Sequence, residues 1–397
     1  MTPLLLAAIL AGLVAVAPFA IDTYLPALPM MAGDLDASIA LVQASIPAYL
    51  IGGAIGQFVG GPLSDQIGRK PVGLFGLTVY GLSSCAIAFT NSVEMLLLLR
   101  FTQALGGGST TVIVAAIVRD SQDGKSAARM MALIGLIMTS APLVAPAVGS
   151  GLLWLSGWRA IFVMLALYAL LMFILLKWRV PETRQPNPDF SLGHLLRTTL
   201  HNYGVVFRHR RALGYVFGMG FGSATMFMFL STSAFAYMEY FGASEQQFPL
   251  LFGANIVAMM VMNRLGVLGL RWLEPEILCR IGISALLLAM LGLAVYVLMG
   301  DPQLYGVVLF IMLGLGMMGL MYPQGIASYL HFFPQQAGAA SALLGILQFT
   351  LGALSGAIVN ALHDGSLVPM AVGMAITATI SATLLFGLAG LTGKHAN

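Results

Sequence analysis

Apolar runs of about 18 residues or more alternate with short polar breaks along the whole chain, and each run is long enough to cross roughly 30 Å of hydrocarbon as a helix. The windows place twelve helices near 4–31, 41–62, 71–90, 94–118, 128–154, 159–178, 213–238, 247–266, 280–299, 303–330, 339–361 and 367–391. The longest break follows the sixth. This pattern predicts an all-α polytopic membrane protein with twelve transmembrane helices in two six-helix bundles, 1–178 and 213–397, joined by a linker at 179–212. In the linker, Leu192, Leu195, Leu196, Leu200, Tyr203 and Phe207 recur on one helical face with basic residues elsewhere, which predicts a helix lying on the membrane surface.

Composition agrees with the pattern. The 397 residues are 59% hydrophobic and 8% charged, with 46 Gly and 24 Met, so a water-facing globular surface cannot be assembled from them. The first apolar run lacks preceding basic residues and is too long for a signal core, which predicts a retained first helix. Cys85 and Cys279 have no ligand-like spacing, and the six His are scattered. No catalytic constellation, metal site or cofactor is expected, and no nucleic-acid partner.

Charge supplies orientation. Sixteen of the eighteen Lys and Arg fall in one alternating set of loops, while Arg159 stands alone in the opposite set with Asp34, Asp36, Glu94, Glu239, Glu245, Asp301 and Asp364. Basic loops stay inside, so both termini are expected in the cytoplasm.

Asp22 and Arg100 are the two charges that fall clearly within predicted spans, at a cost on the order of 3 kcal/mol each. At 1.5 Å per residue they lie about 13 Å and about 9 Å from the same membrane face. On helix four, Arg100, Gln103, Gly107 and Thr111 form one polar stripe, and on helix one Asp22 shares a face with Pro18, Pro26 and Pro29. Burial and a neighbouring guanidinium pull a carboxyl's protonation in opposite directions, so motion of either residue would switch it. That makes Asp22 and Arg100 candidate proton-coupling residues; a static ion pair holding helix one to helix four is the other reading.

The stretch G61-P-L-S-D-Q-I-G-R-K-P-V72 resembles the G-x-L-x-D-x-x-G-R-K signature of the major facilitator superfamily. With R100-x-x-Q103, A141-P-L-V-A-P-A-V-G149 and I-D-T-Y-L-P-A-L-P, the chain resembles drug:proton antiporters, most closely the bicyclomycin and chloramphenicol resistance (Bcr/CflA) branch. It departs from the family pattern at Ala104, where the helix-four motif has Gly, and at A-P in place of G-P on helix five. The resemblance covers mainly the N-terminal half. It implies a monomeric inner-membrane antiporter of bacteria, exchanging small-molecule drugs for protons by alternating access within the lipid bilayer.

The same motifs have physical readings. Gly61 and Gly68 permit a tight turn, Arg69 and Lys70 hold it inside, and Asp65 can bond a helix end or Arg119, forming a cytoplasmic latch or only a topogenic turn. Pro142, Pro146 and Gly149 share a face of helix five, a bend that the resemblance links to export. Gly52, Gly56 and Gly60, with Gly352 and Gly356 on helix eleven, predict close helix approach across the two halves. G314-L-G-M-M-G319 spells a dinucleotide fingerprint, but with neither strand nor acidic partner it reads as helix packing.

A drug cavity needs apolar walls with a few polar groups. Tyr24, Gln43, Tyr49, Gln103, Asn255, Gln324 and Gln348, with Met226, Phe229, Met259 and Met317, are the candidates, and Met suits dissimilar ligands. A lone acid favours lipophilic neutral or monocationic drugs, amphenicol- or bicyclomycin-like. The alternatives are export of a small metabolite such as a sugar, amino acid or peptide, and a polytopic receptor or scaffold.

Overall fold

The apolar windows fold as helices α1 (Leu4–Asp34), α2 (Ile39–Ile67), α3 (Arg69–Ala88), α4 (Val93–Ser121), α5 (Leu133–Ser156) and α6 (Trp158–Arg179). The second set is α7 (Arg210–Tyr240), α8 (Phe248–Gly269), α9 (Pro275–Leu298), α10 (Leu304–His331), α11 (Ala340–Ala361) and α12 (Val368–Ala389). The structure is a computed structural model that describes residues 3–122, 124–187, 193, 204–333 and 337–390, and no strand occurs among them. The surface helix expected from Leu192, Leu195, Leu196, Leu200 and Tyr203 lies outside the described residues; Phe207 is exposed.

Local chemistry sets the ends. Ser38 and Ser92 cap α2 and α4 by accepting from Leu41 N at 3.3 Å and Met95 N at 3.2 Å. Proline sits in the first turn of α8, α9 and α12, where its missing N–H is harmless. The 61–72 stretch, expected as a loop around two glycines, is almost wholly helical. Gly61 lies inside α2, and the chain reverses at Gly68 alone, whose φ of 101° disfavours any side chain.

Four helices are irregular, α2 by a single turn residue at Ala44 between Ile39–Gln43 and Ser45–Ile67. Regular α1 stops at Asp22, a 3₁₀ turn follows at Leu25–Ala27, and helix resumes over Leu28–Asp34. Pro26 and Pro29 each remove a backbone donor there, so the continuous span expected from hydropathy is interrupted. α7 ends in a π-helical turn, Phe235–Tyr240, and α10 breaks at Met317.

The chain divides into two units, Met1–Leu196 and Arg197–Asn397. Within the first, α1 packs on α5, α2 on α4, and α3 on both α4 and α6; within the second, α7 packs on α11, α8 on α10, and α9 on both α10 and α12. Glycines close these pairs. A Cβ at Gly52 or Gly56 would stand 2.1 Å from Phe101 O or 2.3 Å from Leu105 O of α4, and one at Gly352 would stand 2.3 Å from Phe227 of α7. Gly52, Gly56, Gly60 and Gly352 therefore face helices of their own unit, which corrects the expectation of contact across the halves. Gly319 of the G314–G319 stretch would set a Cβ 1.9 Å from Met259 O of α8, a packing contact.

Candidate functional site

Asp22 is the last residue of regular helix in α1, 5% exposed, with Pro18 one turn before it inside the helix. Its carboxyl makes no ion pair or hydrogen bond among the described residues. The next residue, Thr23, is buried, and a Cβ at Gly149 would stand 1.7 Å from its carbonyl oxygen, so α5 reaches the α1 break only because residue 149 has no side chain. Pro142 and Pro146 lie inside the same α5 helix.

Arg100 is fully buried on α4 and makes no ion pair with Asp22 among the described residues, although Tyr49 lies within the field of both charges. Its guanidinium carbon lies over the rings of Tyr24 and Tyr49, at 4.3 and 4.4 Å from their centroids, with Phe162 at 5.9 Å. Nη1 donates to Gln103 Oε1 at 2.6 Å, Gln103 Nε2 donates to Ser84 Oγ at 2.7 Å, and Ser84 donates to the Tyr80 carbonyl at 2.7 Å. Tyr24 is held by a 2.9 Å hydrogen bond between its hydroxyl and that of Ser45. Where a direct Asp22–Arg100 ion pair was one reading, the guanidinium is held on aromatic faces, each worth about 2 kcal/mol when desolvated. Arg100 Nε and Nη2 and the Tyr49 hydroxyl are buried with no hydrogen-bond partner. The arrangement holds a cation with open donors and, apart from it, an unpaired carboxyl at a helix break.

Ser45, Tyr80, Ser84 and Phe162 were not singled out from sequence. Tyr80 and Ser84 had a usable signal, since polar groups four apart in an apolar run share a helix face. Phe162 had none, because one Phe among many apolar residues of α6 looks like any lipid contact.

The second cluster surrounds Gly68. Arg69, 3% exposed, pairs with Asp65 at 2.6 Å and Asp120 at 3.0 Å, and donates to Ser64 Oγ at 2.8 Å. Glu182 Oε1 and Oε2 accept from the backbone N–H of Arg69 at 2.9 Å and of Lys70 at 3.0 Å, capping α3. Asn187 N donates to the Gln66 carbonyl at 2.7 Å, so the chain leaving α6 is bound to the α2–α3 turn. Asp65 is therefore held by Arg69 and not by Arg119, whose exposed side chain only reaches Asp120 at 4.0 Å. An intrahelical-spacing partner four residues away wins because it lies beside Asp65 across a one-residue turn. Asp120 and Glu182 stood in the sequence next to Arg119 and inside V-P-E-T-R, where an acid beside basic loop residues is the available signal.

Of the expected cavity residues, Tyr24, Tyr49 and Gln103 gather at Arg100, and Gln43 is buried on α2. In the second unit Asn255 and Phe229 are buried, Gln324 packs beside Gly266, and Met226, Met259, Met317 and Gln348 are partly exposed. Among the described residues no group of three or more His, Cys, Asp or Glu is placed to hold a metal ion.

Residues 10–359 match the Major Facilitator Superfamily. The chain is 30% identical over 367 residues to the bicyclomycin resistance protein homolog of Haemophilus influenzae, covering 92% of this chain and 91% of that protein. It is 33% identical over 285 residues to a chloramphenicol resistance protein of Pseudomonas aeruginosa, covering 70% and 65%. The solved D-xylose–proton symporter superposes with a TM-score of 0.72 at 16% identity, covering 97% and 96%, and at that identity the likeness concerns the fold. The nucleoside transporter NupG gives 0.73 at 15%, covering 96% and 98%. Twelve apolar helices, one packing plan used in both units and a match over most of its length make this a multi-pass membrane protein, and the chain belongs to the major facilitator superfamily of transporters.

Proposed function

We propose that the protein exports lipophilic neutral or monocationic drugs, amphenicol- or bicyclomycin-like, across the bacterial inner membrane in exchange for protons. The observation that carries this reading is Asp22: a buried carboxyl, with no ion-pair partner among the described residues, at a proline-flanked break in α1. Such a group can take and give up a proton without first breaking a salt bridge. The names of the Haemophilus and Pseudomonas relatives support drugs as the cargo.

The steps follow from the residues. Outside, Asp22 binds a proton; inward opening releases it and admits drug; return carries the drug out. The break over Thr23–Ala27, held against Gly149, lets the carboxyl move without unwinding the whole helix. Arg100 shapes the field that Asp22 meets when the break moves, because two of its nitrogens have no acceptor to hold them elsewhere. The Gly68 cluster acts as a cytoplasmic latch: the Arg69 side chain ties the end of α2 to the end of α4 through Asp65 and Asp120, and Glu182, just past α6, holds the first N–H groups of α3. A single copy contains both groups, so the monomer is the transporting species, with both termini in the cytoplasm.

The test is uptake into reconstituted vesicles under an imposed pH gradient, with a panel of neutral and cationic drugs. The reading expects gradient-driven accumulation in wild type and its loss in Asp22→Asn. Wild-type-like accumulation in Asp22→Asn would remove the residue from the mechanism.

A further inference from the structure

A serine hydroxyl carries one hydrogen, so where that hydrogen is spent decides what its oxygen can do. Ser84 on α3 donates to the Tyr80 carbonyl at 2.7 Å, and Ser45 on α2 donates to the Val42 carbonyl at 2.6 Å. Both serines are fully buried. Each oxygen is left able only to accept, and each does: Gln103 Nε2 donates to Ser84 at 2.7 Å, and the Tyr24 hydroxyl donates to Ser45 at 2.9 Å. Bonding back to the preceding turn is ordinary in membrane helices, as Thr111 and Ser121 do with the carbonyls of Gly108 and Ile117. No side-chain donor falls on those two oxygens among the described residues.

The two sets of bonds converge on one guanidinium. Gln103, its amide turned by Ser84, offers its carbonyl oxygen to Arg100, and Nη1 donates to it at 2.6 Å. Tyr24, held at its hydroxyl by Ser45, sets its ring centroid 4.3 Å from the same group. A guanidinium is a rigid planar fork of five N–H donors, so one bonded nitrogen and one ring face fix its plane and its rotation. What they leave over is fixed too: Nε and Nη2, which have no acceptor among the described residues. Arg69, the other buried arginine among them, is seated by the same device. Ser64 donates to the Gly61 carbonyl at 2.7 Å, and its oxygen accepts from Arg69 Nη1 at 2.8 Å.

We propose that Ser45 and Ser84 are positioning residues of proton exchange, setting the Arg100 guanidinium through Tyr24 and Gln103 so that Nε and Nη2 stay open. Ser45 has a second effect. It follows the Ala44 turn of α2, and Tyr24 lies in the α1 break just beyond Asp22, so the Tyr24–Ser45 bond joins the irregular points of two helices. Movement of the break that carries Asp22 therefore pulls on the ring beside Arg100. This rests on the drug-export reading and deepens it: neither serine holds the drug or the proton, and both act through Arg100.

The experiment measures gradient-driven chloramphenicol uptake per reconstituted full-length transporter. Ser84→Ala and Ser45→Ala should each lower maximal uptake about fivefold, the worth of one displaced hydrogen bond, with the half-saturating drug concentration within about twofold of wild type. Both should move the pH of half-maximal uptake in the direction that Arg100→Ala moves it. In an Arg100→Ala background neither should lower uptake further by more than about twofold, because residues acting through one side chain do not add. Ser84→Cys keeps the volume without a strong hydroxyl acceptor and carries the same expectation, which separates the bond from the packing that alanine also removes. Losses that multiply in the Arg100→Ala background, a raised half-saturating concentration at unchanged maximal uptake, or a pH profile that stays in place would overturn the assignment. A wild type without gradient-driven uptake overturns the export reading beneath it, a distinct result.

Discussion

In the first unit, α1 breaks at Asp22, and the three charged side chains that are buried among the described residues, Asp22, Arg69 and Arg100, all lie there. In the second, α7 occupies the corresponding place in the packing order but ends in a π turn, and an aromatic quartet, Phe229, Tyr237, Phe248 and Phe252, is buried with Asn255, while no charged residue there is fully buried among the described residues. The backbone plan is repeated while the interior chemistry is not. Proton handling needs a titratable group and a field that changes around it, whereas recognition of a lipophilic molecule needs apolar area and directional but uncharged polar groups. On the proposed reading, proton handling belongs to the first unit, and an interior without a buried charge leaves the second free to be tuned for cargo.

The largest expected effect separates these roles. Asp22→Asn should bring gradient-driven drug uptake in vesicles down to the protein-free background, while Asn255→Leu should keep proton movement driven by the aromatic cation tetraphenylphosphonium. Loss of both activities in either variant would erase the contrast. Next, Arg100→Ala and Arg100→Lys should each cut coupled uptake about tenfold, roughly 1.4 kcal/mol, at membrane abundance within twofold of wild type. Lysine fails here because a compact ammonium cannot lie flat over two rings and bond Gln103 at once. Normal coupling in Arg100→Lys would show that the contacts with Tyr24 and Tyr49 are incidental.

The third prediction concerns what the units share. Gly149→Ala and Gly319→Ala each force a Cβ onto a carbonyl oxygen, of Thr23 and Met259 respectively, and should destabilise the protein by about 1–3 kcal/mol in thermal melts. Gly149→Ala should in addition lose uptake, because it displaces the Asp22 break. Equal uptake in the two variants would detach Gly149 from the site. The smallest effects distinguish latch residues: Arg69→Ala should cost about 2–3 kcal/mol through lost charge-assisted hydrogen bonds, and the exposed Arg119→Ala less than about 0.5 kcal/mol. A reversal of that order would restore Arg119 as the partner of Asp65.

Much of this was legible in the chain. Helix number and the two sets of six follow from hydropathy, since a bilayer permits few ways to satisfy a backbone. Asp22 and Arg100 were found because charge at membrane depth is rare. Their relation was not found: depth places two residues at one level, but rotation about each helix decides whether they touch, and Tyr24 and Tyr49 took the guanidinium. The destination of Gly52, Gly56 and Gly60 was misread for the same reason, as a glycine stripe says that a helix comes close and not which one. Glu182 escaped notice because its partners, the N–H groups of Arg69 and Lys70, are backbone and leave no side-chain signature. Asn255 falls among the expected cavity residues, but its place beside Tyr237 is visible only once every neighbour is placed.

Proton release on ligand binding tests the central claim most directly. Chloramphenicol added to purified protein in weakly buffered detergent solution should release protons from wild type. Asp22→Asn should bind the drug and release none, and Asn255→Leu at saturating drug should release as many as wild type. Undiminished release from Asp22→Asn would contradict the account, because the proton would then reside on another group.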